Sequence, residues 1–268
     1  MTLKPSAPHR TMVWRSESAS PAERMLAAEI PVAFVFDGGT EAVMMGTPAD
    51  LEDFAIGFAL NDGIVSSLDD IREIGTVEVD GGIELRMTLN AANREALVTR
   101  RRHRAGPVGC GLCGVESIEA ALPALPTVKA NTSLTAADLR DAMAALTATQ
   151  TLNRETHAVH AAALFVKGEG IVAIREDVGR HNALDKLAGT LARAKRDPAK
   201  GAILMTSRIS VELVQKAARM GAPVLAAISA PTTLAVREAA KAGLTIAGIV
   251  RADGLELFTH PERITDAR

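Results

Sequence analysis

Aromatic side chains are nearly missing from this chain: its 268 residues include no tyrosine, one tryptophan (Trp14) and six phenylalanines. A base-stacking platform needs several flat rings on one face, so the composition argues against single-stranded nucleic acid as a partner. Excess charge of either sign is missing too, since 30 Lys and Arg meet 32 Asp and Glu for a formal charge of −2. That balance opposes broad nucleic-acid binding but leaves a local basic cluster open, because phosphate capture depends on clustering. No stretch reaches the ~18 uninterrupted apolar residues of a membrane span, and the Pro-, Ser- and charge-rich first 25 residues hold no secretory-type apolar run. The expectation is a cytoplasmic protein without a membrane partner, with residues 1–25 as a disordered tail.

Cysteine is equally scarce: there are two, Cys110 and Cys113. A chain of this length buries a full core without covalent staples, and in a reducing cytoplasm the pair is not a structural disulfide. Chance would space two cysteines as C-x-x-C in under roughly one such chain in a hundred, so the spacing points to chemistry.

What is present reads as two unequal domains, residues 26–126 and 127–268. In the first, Val32–Phe36 and Ala42–Gly46 flank the turn Asp37-Gly38-Gly39, and Thr76–Val79 and Ile83–Met87 flank Asp80-Gly81-Gly82. Between the hairpins a helix is predicted with Thr47 as N-cap, Pro48 at its first position and Asn61-Asp62-Gly63 at its end. From Arg100 to Pro126 glycines and prolines break the pattern. The second domain predicts a helix over Ala136–Thr149, two strands around Lys167–Gly170, a helix from Arg180 to Arg196, and then alternation. Strands at Ala202–Thr206, Val224–Ser229 and Leu244–Val250 are separated by helices Ser210–Met220 and Thr232–Ala242, with Gly221 and Gly243 where C-caps belong. Such a run favours right-handed crossovers and a parallel sheet layered with helices.

Ligands on such sheets collect at the carboxyl ends of the strands. Three segments fit: Ser207-Arg208-Ile209-Ser210, Ala230-Pro231-Thr232-Thr233 and Arg251-Ala252-Asp253-Gly254. Their arginines and hydroxyls suit phosphates or another anion, and the hydroxyls suit helix capping equally well. The run Arg100, Arg101, Arg102, His103 and Arg104 beside the cysteines either activates a thiolate or is a solvated face. In Glu176-Asp177-Val178-Gly179-Arg180-His181-Asn182, His181 with Asp177 is a candidate to orient a ligand or move a proton, against a plain capped helix start.

Gly109-Cys110-Gly111-Leu112-Cys113-Gly114 also spells G-x-G-x-x-G, but no buried strand precedes it and no acid stands about 20 residues on, which excludes a dinucleotide fingerprint. Zinc is a weak reading. Pro107-x-x-Cys110-x-x-Cys113 loosely matches the P-C-x-x-C of zinc deaminases, yet no H-x-E lies upstream of it, and His157-x-x-His160 is short for a structural site.

Several segments in order, among them M-G-T-P-A-D-L-E-D-F, G-C-G-L-C-G-V-E, E-D-V-G-R-H-N-A-L-D-K-L, S-R-I-S-V-E-L and F-T-H-P-E-R, resemble the FdhD family of formate dehydrogenase accessory proteins over about residues 25–264. The resemblance implies an α/β fold with a cytidine-deaminase-like three-layer C-terminal domain, lacking deaminase zinc, after a smaller α+β N-terminal domain. It implies a homodimeric sulfurtransferase that takes sulfane sulfur from a cysteine desulfurase and passes it to the molybdenum cofactor, bis-molybdopterin guanine dinucleotide, for formate dehydrogenase. By that resemblance Cys110 carries the persulfide, with Cys113 assisting or exchanging. The cofactor-binding segment falls after the last sheet strand on Ile249, Val250, Arg251, Ala252, Asp253 and Gly254, with Arg208 and His181 as further candidates. One departure is His157, where the family usually has glycine. Two rival readings are a dithiol–disulfide oxidoreductase and a non-enzymatic cofactor chaperone.

Overall fold

The computed structural model describes residues 3–102, 122–130 and 132–265. Where composition predicts a disordered tail, the chain forms a long antiparallel hairpin of β1 (Ser6–Arg15) and β2 (Ser18–Ala27), in continuous register from Ser6 opposite Ala27 to Arg15 opposite Ser18. The ladder satisfies backbone groups whatever the side chains, so a polar composition does not forbid it. Its prolines, Pro8 and Pro21, sit in a ribbon that has only edges, where a missing N–H is tolerated.

Alternation then governs β3 (Ile30–Phe36): Val32, Phe34 and Phe36 point to one face and are fully buried. With β4 (Gly39–Gly46), β5 (Ile71–Val79) and β6 (Gly82–Leu89) it makes a four-stranded sheet of order β4-β3-β6-β5. Helix α1 (Leu51–Asn61) covers that face, with Phe54 edge-on and Phe58 stacked against Phe34. Helix α2 (Ala91–Arg102) follows. Sequence patterning misses it because only Leu97 among its apolar residues is buried, although Asn90 accepts the Asn93 N–H as an N-cap would.

The second half has α3 (Ala136–Thr149), the short α4 (Thr151–Thr156), β7 (His160–Val166), β8 (Gly170–Asp177) and α5 (Arg180–Arg193). Then come β9 (Gly201–Met205), α6 (Val211–Arg219), β10 (Val224–Ala227), α7 (Thr233–Ala242), β11 (Thr245–Arg251) and β12 (Gly254–Thr259). The sheet order is β12-β11-β10-β9-β7-β8, with β9, β10 and β11 parallel and the outer strands antiparallel. Residues of alternate parity build two cores. Leu164, Ile203, Met205 and Leu225 meet α5, α6 and α7 on one side, while Ala163, Leu204, Val224 and Ala226 meet α3 on the other. The result is three layers. Gly243 takes φ 71 at the end of α7, the left-handed cap that its position predicts.

The two sheets are joined by α1 against α5, and the approach is backbone to backbone. A Cβ added at Gly57 would come 1.7 Å from the Asp185 carbonyl oxygen, and one at Gly189 would come 1.9 Å from that of Asp53. Around this crossing, Asp53 accepts hydrogen bonds from Arg175 Nη2 (2.7 Å), Thr190 Oγ1 (2.8 Å) and Arg193 Nη1 (2.9 Å). Burial pushes its carboxyl upward, but these donors outweigh burial and hold it below the ordinary 3.8.

Two outcomes follow for the crossing. Gly57→Ala has no room to relax against backbone and should cost ~3 kcal/mol in equilibrium urea unfolding; a loss under ~0.5 kcal/mol would mean the helices do not touch there. For Asp53, the lowered carboxyl contributes fully above the ordinary value, and the contribution disappears as pH falls through the lowered one. Asp53→Asn should therefore be less stable than wild type at pH 7, with the gap closing as pH falls below the ordinary carboxylate value and through the lowered one. A pH-independent gap would refute the pairing.

Candidate functional site

The amino end of β7 and the carboxyl ends of β8, β9 and β10 lie at one end of the C-terminal sheet, and the exit of β4 arrives beside them. The junction is buried and polar. Thr47 N–H donates to Asp177 Oδ2 (3.0 Å), Thr47 Oγ1 accepts from the Val178 N–H (3.1 Å), and the Thr47 carbonyl accepts from Lys186 Nζ (2.9 Å). Lys186 Nζ also lies 2.6 Å from Asp177 Oδ2, both side chains fully buried, and sits over the Phe54 ring. Asp177 Oδ1 accepts from the Gly179 N–H (2.7 Å) and from Asn182 Nδ2 (2.8 Å). Burial pushes the Lys186 ammonium down, and Asp177 opposes that.

This junction explains why the predicted N-cap at Thr47 is not one. With its hydroxyl, amide and carbonyl committed to β8 and α5, the chain continues to Asp50, at φ 51, before α1 starts at Leu51. A second buried pair, Asp185 with Lys216 Nζ (2.7 Å), is bonded to Asn61 Nδ2 (2.7 Å) and ties α5 to α6 and α1. Burial raises the Asp185 carboxyl against the pull of Lys216.

Asp177 is therefore spent on structure and is not the partner of His181. His181 Nε2 instead lies 3.4 Å from Ser210 Oγ and 3.5 Å from Glu212 Oε2. The hydrogen bond from His181, with help from Ser210, takes the Glu212 carboxyl down to about 2 against its burial. His160, at the start of β7, joins this group. Burial lowers it, Arg180 and His181 add to that, and a bond to the Thr206 backbone opposes it. Glu212 escaped the sequence reading, and His160 entered it only as a poorly spaced zinc ligand. Glu212 carries a visible signal, an acid in the first turn of a helix entered from a strand-end loop.

The first two strand-end loops are knitted together. The Ile209 N–H donates to the Ala230 carbonyl, the Thr232 N–H to that of Ile209, and the Ile249 N–H to that of Ser229. Thr232 caps α7 through the Ala235 N–H, whereas the Ser210 side chain makes no cap bond. Arg208 is exposed and has no carboxylate partner among the described residues.

The third segment does not follow the last strand. Arg251–Gly254 is the tip of a hairpin, because β12 returns antiparallel to β11. Ile249 opens that segment at φ 52, next to a register shift between Gly248 and Arg251. A β-branched residue in the left-handed region is strained and is kept where the surroundings over-determine it. Val250 is buried; Arg251, Ala252 and Asp253 are exposed, and Arg140 Nη1 of α3 donates to the Ala252 carbonyl.

His157 ends α4 at φ 54 and donates its N–H to the Asn153 carbonyl (2.7 Å). A glycine at that position thus serves a helix cap rather than a close ligand approach. The one H-x-E of the chain, His260-Pro261-Glu262, is a turn: His260 Nδ1 meets Glu262 (3.1 Å) and Nε2 meets the Ala240 carbonyl (2.9 Å). Arg100, Arg101 and Arg102 fall at the end of α2. His103, Arg104, Cys110, Cys113 and the glycines around them lie outside the described residues.

A three-layer α/β unit with polar loops gathered at its strand ends, fused to a smaller four-stranded sheet, is also the fold of a solved chain. A crystal structure from Desulfotalea psychrophila, assigned as a formate dehydrogenase accessory protein, superposes with a TM-score of 0.75 at 25% identity, covering 97% of this chain and 99% of that one. The chain belongs to the FdhD/NarQ family, whose model matches residues 27–265. It is 50% identical over 251 residues to the sulfur carrier protein FdhD of Agrobacterium fabrum, covering 93% of each, and 52% identical over 245 residues to that of Brucella abortus, covering 91% of each.

If the motif around Asp177 is structural, Lys186→Met should leave an uncompensated buried carboxylate and cost about 3–5 kcal/mol in denaturant unfolding. Unchanged stability would mean that Lys186 does not hold the Asp177 charge.

Proposed function

We propose that this chain is a cytoplasmic sulfurtransferase that carries sulfur for formate dehydrogenase maturation. The observation that carries the reading is half-identity, over more than nine-tenths of both chains, to proteins named as sulfur carriers, in a chain whose two cysteines form one C-x-x-C. Cys110 is the carrier. Its thiolate attacks the outer sulfur of a cysteine desulfurase persulfide; the new S–S bond forms as the donor's S–S bond breaks, and the donor thiolate leaves. Basic residues beside the pair favour the thiolate.

The substrate that receives the sulfur is the molybdenum cofactor in its bis-molybdopterin guanine dinucleotide form, which is polyanionic. The residues at the sheet end suit such a group: Arg208 and Arg251 are exposed cations without carboxylate partners among the described residues, and Ser210 is a hydroxyl unused as a cap. Ile249, Val250, Ala252, Asp253 and Gly254 supply backbone, and His181 supplies a ring held by Glu212. Release through exchange with Cys113 balances: the sulfane sulfur leaves as hydrosulfide while the two thiols close to a disulfide. A homodimer and a cytidine-deaminase-like ancestry of the three-layer unit belong to the same reading.

Intact-protein mass after incubation with a desulfurase and cysteine is the test. Wild type should gain one sulfur atom, removable by a thiol reductant, and Cys110→Ala should gain none. A variant that still accepts sulfur sinks the assignment.

A further inference from the structure

Between Arg175 and Lys186, where β8 gives way to α5, the charged side chains have partners with one exception among the described residues. Arg175 is paired with Asp53, Glu176 accepts the Leu152 and Asn153 N–H groups at the start of α4 (2.9 and 2.8 Å), Asp177 holds Lys186, and Asp185 holds Lys216. The exception is Arg180, the first residue of α5. It is half-buried, its Nε is shut off from water without a hydrogen-bond partner, and its guanidinium meets no carboxylate among the described residues. A guanidinium cannot shed its charge as a buried lysine can. Taking part of that charge out of water without a counter-charge is costly, and an orphaned buried donor calls for a reason.

The surroundings add to the charge rather than offset it. Burial, and after it the charge of Arg180, disfavour the protonated ring of His160 at the start of β7. The acid of the neighbouring helix, Glu212, lies against His181 Nε2 (3.5 Å) and is held there. Ser210, whose side chain makes no cap bond, has its Oγ 3.4 Å from the same nitrogen. We propose that Arg180 is a phosphate-binding residue, whose guanidinium, beside His181 and Ser210, takes the diphosphate oxygens of a nucleotide-bearing substrate. Nitrogen and hydroxyl donors select oxygen anions, because sulfur is a weak acceptor; the corner therefore suits the phosphates of the substrate and not the sulfur delivered to it. A guanidinium meets phosphate oxygens with parallel donors, and in a partly dry corner the attraction exceeds that of an exposed cation. Arg208 and Arg251, both exposed, draw a polyanion toward the strand ends. Arg180, half-buried, fixes where its phosphates stop.

The inference rests on the reading of the strand ends as the cofactor site. Calorimetric titration of the full chain, reduced and free of sulfane sulfur, with GDP, inorganic pyrophosphate and guanosine tests it. GDP and pyrophosphate should bind, and Arg180→Gln should weaken both at least about tenfold. Arg180→Lys keeps the charge but loses the fork, and should recover part of the loss. Wild type gives a second reading that needs no variant. Bound pyrophosphate offsets the Arg180 charge, so the pH at which the His160 ring protonates, followed by NMR, should rise when the site is filled. Pyrophosphate that fails to bind at about 1 mM, an Arg180→Gln variant that binds it as wild type does, a variant that loses guanosine as much as GDP, or a His160 ring indifferent to pyrophosphate would overturn the proposal. None of these readouts uses a cysteine or a desulfurase, so a failure of sulfur uptake leaves them standing. GDP binding that requires Arg208 and Arg251 but not Arg180 would overturn this inference and leave the cofactor reading intact.

Discussion

The carboxylate of Asp177 is the constraint on which the rest of the molecule depends. It takes the amide of Thr47 from the first sheet, the amide of Gly179 and the side chain of Asn182 from the entry to α5, and the ammonium of Lys186 one helical turn further on. Removing two charges from water is expensive, and such a pair need not be more stable than a well-packed apolar one. What it fixes is position. Thr47 contributes amide, hydroxyl and carbonyl, so β4 can leave its sheet at one place and in one direction relative to β8 and α5. Sliding either element by a residue would strand a buried charge.

Helix α5 shows how one short motif serves two ends. Asn182, Asp185, Lys186 and Gly189 recur at helical spacing and meet β4, α1 and α6, while Leu184, Leu187 and Leu191 meet the sheet. Arg180 and His181 stand in its first turn, outside that stripe, and lie at the strand ends. The dense cluster of charge in this segment thus divides by direction: the inward residues join the two halves of the molecule, and the N-terminal ones face the loops. Gly57 and Gly189 let α1 approach closely enough for the pairs of Asp53 and Asp185 to close together.

The β-α-β run of the second half is legible in the sequence because its strands are buried almost throughout and Gly243 marks a helix end that a left-handed residue completes. Length separates strand from helix there. The first hairpin is not legible, since its side chains cover no core and give the ladder no pattern to follow. Thr47 misleads for a related reason: a hydroxyl before a proline satisfies the local rule for a cap, but a contact 130 residues away uses it first. The strand-end loops can be predicted from strand order alone, whereas the pairing of His181 with Glu212 cannot. It requires knowing that α5 and α6, separated by β9, begin at the same corner. The return of β12 that turns Arg251–Gly254 into a hairpin tip is hidden in the same way, because that short strand fully buries only Thr259.

Charge balance takes on a different meaning once the pairs are placed. Acids and bases are nearly equal in number, and most of the interior ones are matched: Asp53 with three donors, Asp177 with Lys186, Asp185 with Lys216. Arg208 and Arg251, both at the strand-end rim, are among the cations without a carboxylate partner in the described residues. An exposed cation beside a free carboxylate would pair with it and be screened from a ligand. The interior carboxylates are held by buried donors and Glu212 is held by His181, which leaves Asp253, exposed on the same hairpin tip as Arg251, as the acid nearest the rim. Arg208 and Arg251 thus form a local cationic feature at the strand ends of a chain whose total charge is slightly negative, because the acids of the interior are committed to the network that locks the two sheets together, and Ile249, strained beside the register shift of β11, opens the segment that carries Arg251.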